Sequence, residues 1–125
     1  MSRGRLRAQR SGRWGESLAV LWLRLTGHRV LARHFAGGRG SGAGEVDIVA
    51  ARGDVVLFVE VKLRPTLAEA AAAIGSRQRR RIERAAGAFV AARPDLSGRT
   101  FRFDALLLAP WRFPRHLPDA WRMDA

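Results

Sequence analysis

The sequence predicts an α/β fold in which a small mixed sheet is flanked by helices. Apolar residues recur at helical spacing in residues 12–26 and 66–93, and they alternate or run continuously in shorter segments between and after them. The resulting order of helix, three strands, helix and strand is typical of an α/β domain. The length of 125 residues suits one domain with a real core. We therefore expect a flexible basic arm over residues 1–11 and a single domain over residues 12–125.

The first helix is predicted over residues 12–26. Its apolar residues at helical spacing are Trp14, Leu18, Leu21, Trp22 and Leu25. Val20 and Leu23 widen this surface, so that only a narrow stripe of polar residues should contact water. Gly27 suits the end of the helix because glycine readily adopts the left-handed conformation found there.

Three strands should follow, over residues 29–35, 45–51 and 55–62, with a glycine-rich loop or hairpin connection over 36–44. Alternation in the second strand places Val46, Ile48 and Ala50 on one face and Glu45, Asp47 and Val49 on the other. The third strand is apolar on both faces, as in a buried central strand. Its residues Val56, Phe58, Glu60 and Lys62 share one face.

A second helical region is predicted from a capping-box pattern, Thr66 followed by Glu69. The helix should break near Gly75 and resume as far as Arg93. Alternation over residues 101–108 predicts a last strand. The tail beyond Pro110 carries no clear pattern.

The charge of the chain indicates a polyanionic partner. The formal net charge is +12, and Lys62 is the sole lysine among 23 positively charged residues. A polyanion such as nucleic acid is the natural partner for such a chain. The alternatives are that the charge belongs to a basic tail or to a patch that binds a membrane surface. The sequence shows neither a secretory signal nor an apolar stretch long enough to span a membrane. The absence of cysteine excludes disulfides and thiolate metal sites, which fits a cytoplasmic protein.

An acidic cluster is predicted where the two central strands meet. A hairpin would bring Asp47 close to Glu60 and Lys62, and converging carboxylates repel each other unless a cation lies between them. Oxygen ligands favour Mg²⁺ or Mn²⁺ over Zn²⁺. The backbone carbonyl of Val61 is a further candidate ligand, and Lys62 would orient an attacking water or stabilise negative charge on phosphorus. The alternative is an ordinary Glu–Lys pair at a strand end.

Several motifs together resemble a known family. They are Trp14-Gly15-Glu16, residues 44–49, residues 58–64, Arg77-Gln78, Ala85-Ala86, Arg102-Phe103-Asp104 and residues 116–121. In this order they resemble the YraN-like family of uncharacterised bacterial proteins. That family is similar to the PD-(D/E)xK nuclease superfamily, particularly to archaeal Holliday-junction resolvases. The resemblance implies a restriction-endonuclease-like fold, catalytic Asp47, Glu60 and Lys62, and Glu16 as the acid that completes the metal site.

Residues around this cluster suggest how the chain would hold nucleic acid. Gln78 is expected to contact the phosphate or the attacking water, and it follows Arg77, where many relatives carry lysine. The residues predicted to bind nucleic acid are Arg64, Arg77, Arg79 and Arg80; a solvated helix face is the alternative for the last three. Asp104 is expected to form structural hydrogen bonds. Trp111, Phe113 and Trp121 are expected to cap the sheet or to form a dimer contact; stacking on nucleic-acid bases is the alternative.

The interpretation that unites these features is a metal-dependent endonuclease acting on structured DNA, with Mg²⁺ or Mn²⁺ as cofactor and a homodimer as a candidate assembly. Two other classes remain open. One is a catalytically silent nucleic-acid-binding module of the same fold, and the other is a basic scaffold in which the acidic cluster is only a salt bridge.

Overall fold

A computed structural model of the protein describes residues 3–37 and 44–123, with side chains from residue 14 onward. The helices are α1 (Arg3–Leu25), α2 (Leu67–Ala72) and α3 (Ser76–Ala91), followed by a short 3₁₀ turn at Pro94–Leu96. The strands are β1 (Arg29–Ala36), β2 (Glu45–Arg52), β3 (Val55–Leu63), β4 (Thr100–Leu108) and β5 (Arg115–Trp121). The predicted α/β class is confirmed, and the architecture is consistent with a restriction-endonuclease-like fold.

The described strands form one mixed sheet in the order β1-β2-β3-β4-β5. β3 and β4 are parallel, whereas the other neighbouring strands are antiparallel. A parallel pair needs a long crossover connection, which here contains α2 and α3. The beginning of α3 lies close to the end of β3, since Gln78 of α3 donates a hydrogen bond to Glu60 of β3.

The sheet separates two apolar clusters, and its central strands contribute to both. On one face Ile48, Leu57 and Val59 pack with α1. On the other face Val49 and Phe58 pack with α2 and α3, among others. The predicted alternation of β3 is confirmed. In β2 it fails at one residue, since Val46 packs with the α3 cluster and not with Ile48 and Ala50.

Helix α1 packs on the sheet through a different face from the one that sequence spacing indicates. Its buried residues include Ala19, Val20 and Leu23. The leucine stripe predicted to be buried is exposed: Trp14 is 69%, Leu18 44%, Leu21 54% and Leu25 71% exposed. The prediction was wrong because residues 14–25 of α1 are apolar on nearly all sides, and spacing alone does not say which side meets the sheet.

The predicted element limits agree with the structure to within a few residues after α1. Thr66 caps α2 by accepting the Glu69 backbone N–H at 3.1 Å. The predicted break near Gly75 separates α2 from α3. β5 was not predicted, because Pro118 argues against a strand in sequence. The strand is also irregular, since Asp119 has a positive φ of 53°.

Three predictions concern the N-terminal segment and the glycine-rich connection. α1 begins at Arg3, whereas apolar spacing predicted a start near residue 12. The flexibility expected of residues 1–11 stays a prediction. Most of the predicted glycine-rich connection, residues 38–43, lies outside the described residues.

In the part of the chain that is described, no helix has both the length and the apolar character needed to cross a membrane.

Candidate active site

The site begins where β2 and β3 separate. Their backbone pairing runs from Arg52–Val55 to Ile48–Val59. Beyond that point Asp47 Oδ2 accepts the Val61 backbone N–H at 2.8 Å. A side-chain oxygen thus occupies the position that a carbonyl of β2 would take in a regular ladder. This hydrogen bond fixes the Asp47 carboxylate beside the end of β3.

Gly44 explains how the start of β2 approaches α3 so closely. Its N–H donates to the Arg81 carbonyl at 3.0 Å. A Cβ atom at this position would lie 2.9 Å from Arg81 Cβ, closer than real Cβ atoms pack. The glycine of the Gly-Glu-Val-Asp segment therefore allows β2 to meet α3 just before Asp47.

Glu60 is the centre of the cluster and is only 3% exposed. Its Oε1 lies 3.1 Å from Lys62 Nζ and accepts the Gln78 Nε2 hydrogen bond at 2.8 Å. Glu60 and Lys62 lie two residues apart on β3, so they share its α3-facing side. Gln78 is in the first turn of α3. The structure therefore brings together four of the residues identified from sequence: Asp47, Glu60, Lys62 and Gln78.

The two carboxylates are held in an environment that disfavours their charge. Burial, reinforced by the negative charge of Asp47, raises the pKa of Glu60 to about 7. Burial also raises the pKa of Asp47, with Glu16 adding to the effect, although the Val61 N–H and Lys62 oppose it. One ammonium thus only partly compensates two neighbouring acids.

Glu16 lies beside this cluster but has its own cationic partners. It is buried on α1, and its Oε1 accepts from Arg33 Nε at 2.9 Å. His34 on β1 contacts both Glu16 and Glu45 through its two ring nitrogens. His34 has φ 52°, in the left-handed region that non-glycine residues seldom adopt. Sequence reasoning missed Arg33 and His34, because an arginine and a histidine in an edge strand give no signal beyond solvent exposure.

The donor set can be compared with the needs of a hard cation. Among the side chains described, no three from His, Asp and Glu converge at ligand spacing. Mg²⁺ does not need three, since it retains several waters and is commonly held by one or two carboxylates together with substrate phosphates. Asp47 and Glu60, whose pKa values are raised chiefly by burial, fit that requirement. The Val61 carbonyl and Glu16 remain predicted ligands.

The predicted phosphate-binding arginines are arranged in two groups. Arg77 and Arg80 are exposed on α3, and Arg64 is exposed just after β3, where its Nη1 donates to the Leu63 carbonyl at 2.8 Å. Arg79 is half-buried, and its guanidinium lies 5.6 Å from the centre of the Trp121 ring. Three of the four can therefore reach a ligand without rearrangement, whereas Arg79 faces the sheet.

Asp104 forms a second buried polar cluster on the other face of the sheet. Arg102 donates two hydrogen bonds to its carboxylate at 2.8 Å each, and the Asp119 N–H donates a third at 3.0 Å. His116 Nε2 lies 2.6 Å from Asp104 Oδ2. Burial alone would raise the pKa of Asp104, but these partners outweigh burial and lower it. The structural hydrogen-bonding role expected of Asp104 is confirmed.

Comparison with known proteins gives one consistent family. The sequence profile described as "Uncharacterised protein family UPF0102" matches residues 15–108. A UPF0102 protein of Paramagnetospirillum magneticum is 59% identical over 123 residues, covering 98% of this chain and 95% of that protein. A UPF0102 protein of Methylobacterium nodulans is 50% identical over 113 residues, covering 90% and 84%. A third, from Maricaulis maris, is 45% identical over 121 residues, covering 97% and 92%.

Proposed function

We propose that this chain, which belongs to the uncharacterised protein family UPF0102, is a metal-dependent endonuclease that hydrolyses phosphodiesters in structured DNA. Membership of that family confirms the YraN-like resemblance. The observation that carries the proposal is the meeting of Asp47 and Glu60, both with raised pKa values, beside the chain's sole lysine. Such an arrangement is costly for stability and is typical of a functional site.

In this proposal Asp47 and Glu60 hold Mg²⁺ or Mn²⁺, with Glu16 and the Val61 carbonyl completing the site. When bound, the ion supplies Lewis acidity towards the phosphate and lowers the pKa of water. Lys62 places a compact positive charge beside the phosphate, where negative charge develops. Gln78 holds the Glu60 carboxylate in place through its 2.8 Å hydrogen bond.

The exposed arginines give this site a surface for the DNA backbone. Arg64, Arg77 and Arg80 lie after β3 and on α3, the same two elements that carry Lys62 and Gln78. Arginine binds phosphate oxygens in a bidentate manner and releases condensed counterions from DNA. The net charge of +12 supports the same partner. The absence of cysteine makes the cytoplasm the compartment in this proposal.

One observation favours a second candidate, a catalytically silent nucleic-acid-binding module. Glu16 is engaged with Arg33 and His34, so it is not gathered with Asp47 and Glu60 around a common point. In a silent module these ion pairs would be permanent. In the nuclease the Glu16 carboxylate would exchange them for the ion.

A homodimer is part of the proposal because of the outer face of α1. The exposed residues Trp14, Leu18, Leu21 and Leu25 are spaced four, three and four residues apart, which is the a/d repeat of a coiled coil. Phe113 is 83% exposed, and its ring lies 6.2 Å from that of Trp22 on α1. An exposed, continuous apolar surface of this kind is typical of a protein–protein contact. A second copy of the chain presents the same row of apolar residues, the helix seam, so the two copies can pack these surfaces together across a two-fold axis.

The experiment that tests the nuclease is a cleavage assay with Lys62→Arg. This substitution keeps the charge but replaces the ammonium with a larger, planar group. We expect turnover on flapped, branched and single-stranded DNA to fall on the order of a hundredfold, as when one stabiliser of a transition state is lost. DNA affinity measured without metal should stay within a few-fold of wild type. The matched control is Arg29→Lys, the reverse exchange at an exposed position at the opposite end of the sheet.

The outcomes separate the candidates. If Lys62→Arg cleaves as fast as wild type, the role given to Lys62 is wrong. If wild type binds DNA but cleaves none of the substrates with Mg²⁺ or Mn²⁺, the silent module is the better description. If it neither binds nor cleaves DNA, the acidic cluster is a salt bridge in a scaffold protein.

A further inference from the structure

The carboxylate of Glu16 is buried behind two basic side chains of β1. The Glu16 side chain is 4% exposed, whereas those of its partners Arg33 and His34 are 45% and 55% exposed. Arg33 Nε donates to Glu16 Oε1 at 2.9 Å, and His34 Nε2 contacts Glu16 Oε2. A buried carboxylate is unfavourable without a charged or hydrogen-bonding partner. Glu16 can therefore leave these side chains only if another cation receives it.

The backbone of β1 is distorted where it makes these contacts. Neighbouring residues of a strand alternate between its two faces, so Arg33 and His34 would ordinarily point to opposite sides of the sheet. His34 instead has φ 52°, in the left-handed region, and both side chains contact the same carboxylate. Such a backbone conformation is unfavourable for a residue other than glycine and is found mostly where function requires it. The strained contact with Glu16 therefore suggests a functional role.

The ion pair between Arg33 and Glu16 lies next to the acidic cluster. In the pairing of β1 with β2, Arg33 is opposite Ile48, which directly follows Asp47. Burial is the main cause of the raised pKa of Asp47, but the negative charge of Glu16 contributes to it. Glu16 is thus close enough to Asp47 for their charges to interact, while its carboxylate is bound by β1.

Arg33 has the properties of a phosphate-binding residue. It lies on β1, an edge strand of the sheet, and nearly half of its side chain is exposed. A guanidinium binds carboxylate and phosphate oxygens through the same fork of N–H donors. A phosphate of the DNA backbone is therefore a chemically equivalent partner for Arg33 and can replace Glu16 there.

We propose that Arg33 is a latch on the metal site: it holds Glu16 while the site is empty, and a DNA phosphate that binds Arg33 releases Glu16 to the metal. This inference rests on the proposed function. The two exchanges depend on each other, because Arg33 gains a phosphate in place of Glu16 and the buried Glu16 gains the metal in place of Arg33. DNA and metal therefore bind cooperatively, and each raises the affinity of the protein for the other.

The first test measures Mn²⁺ binding by calorimetry without DNA. Arg33→Gln removes the cation that holds Glu16, so it should bind Mn²⁺ about fivefold more tightly than wild type, the scale of a partly exposed ion pair. Arg29→Gln removes the same charge from an exposed position of β1 farther from Asp47 and should bind like wild type. If Arg33 only positioned Glu16 as a ligand, its loss would weaken binding. Equal or weaker binding by Arg33→Gln, or no binding by either protein, would overturn the latch.

The second test measures the salt dependence of duplex DNA affinity without metal. Glu16→Gln removes the carboxylate from Arg33, so one more phosphate contact should form and the log–log slope should steepen by about 0.9. Adding Arg33→Gln to this variant should restore the wild-type slope. Glu69→Gln removes the same negative charge from an exposed position of α2 and should leave the slope unchanged. An unchanged slope in Glu16→Gln, or no DNA binding by any of these proteins, would overturn the role of Arg33.

Neither test depends on cleavage, so the latch and the nuclease can fail separately. Tighter Mn²⁺ binding by Arg33→Gln and a steeper slope in Glu16→Gln, in a protein that cleaves no DNA, would support the latch and remove the nuclease. Cleavage by wild type together with equal Mn²⁺ affinity in Arg33→Gln would remove the latch and leave the nuclease.

Discussion

Glu60→Gln should stabilise the protein at neutral and alkaline pH. The ordinary pKa of a glutamate is 4.5, and burial together with Asp47 raises that of Glu60 to about 7. Between these values the folded protein retains a proton that the unfolded chain has released, so stability falls as pH rises. One pKa unit corresponds to about 1.4 kcal/mol, which gives a cost of about 3 kcal/mol above pH 7. Glutamine carries no charge, so the variant avoids this cost.

The substitution changes little else. The amide introduced by Glu60→Gln retains an Oε1 acceptor for the Gln78 side chain, which donates to the Glu60 carboxylate at 2.8 Å in wild type. The pKa of Glu60 already includes the favourable effect of Lys62, whose Nζ lies 3.1 Å away. The difference in unfolding free energy between variant and wild type should therefore be near zero at about pH 4.5 and reach about 3 kcal/mol at about pH 8.

The assay is urea denaturation of both proteins across that pH range at equal protein concentration. Glu69→Gln, which alters an exposed glutamate in α2, is the control and should differ from wild type by less than about 0.5 kcal/mol at every pH. Added Mg²⁺ should stabilise wild type, because an ion that binds only the folded state adds stability. The difference in unfolding free energy between Glu60→Gln and wild type should therefore become smaller. If Glu60→Gln were equally stable or less stable than wild type at pH 8, the environment of Glu60 would not disfavour its ionised form, and the raised pKa would be wrong.

Three further predictions concern the metal, the helix seam and the second buried cluster. Calorimetry should show millimolar or tighter Mn²⁺ binding to wild type that Asp47→Ala loses; equal binding would exclude Asp47 as a ligand. Leu21→Asp should convert a dimer to a monomer in sedimentation without lowering the monomer's melting temperature, since Leu21 is 54% exposed; a monomeric wild type would refute the seam. Asp104→Asn should cost about 3 kcal/mol at neutral pH. That loss should shrink in acid. Because the pKa of Asp104 is lowered in the folded state, its ionised carboxylate stabilises the fold at neutral pH, and this stabilisation is lost as the pH falls through that pKa and wild type is protonated there too.

The candidate site was largely predictable because its residues lie on a short, regular part of the chain. Period-two alternation places Glu60 and Lys62 on one side of β3, and a tight turn after β2 brings Asp47 near them. These are local consequences of strand geometry. The capping box and the glycine break also place Gln78 at the start of α3, but its hydrogen bond to the Glu60 carboxylate was not predicted.

Other features depend on long-range packing that local pattern does not contain. The apolar face that α1 turns to the sheet, the irregular strand β5, and the engagement of Glu16 by Arg33 and His34 each required the folded chain. Side-chain periodicity is a property of single elements, so the sequence by itself determined which residues share a strand face and which chemistry they carry. Which of two similar faces is buried depends on the relative energies of alternative packings, and only the tertiary structure decided that.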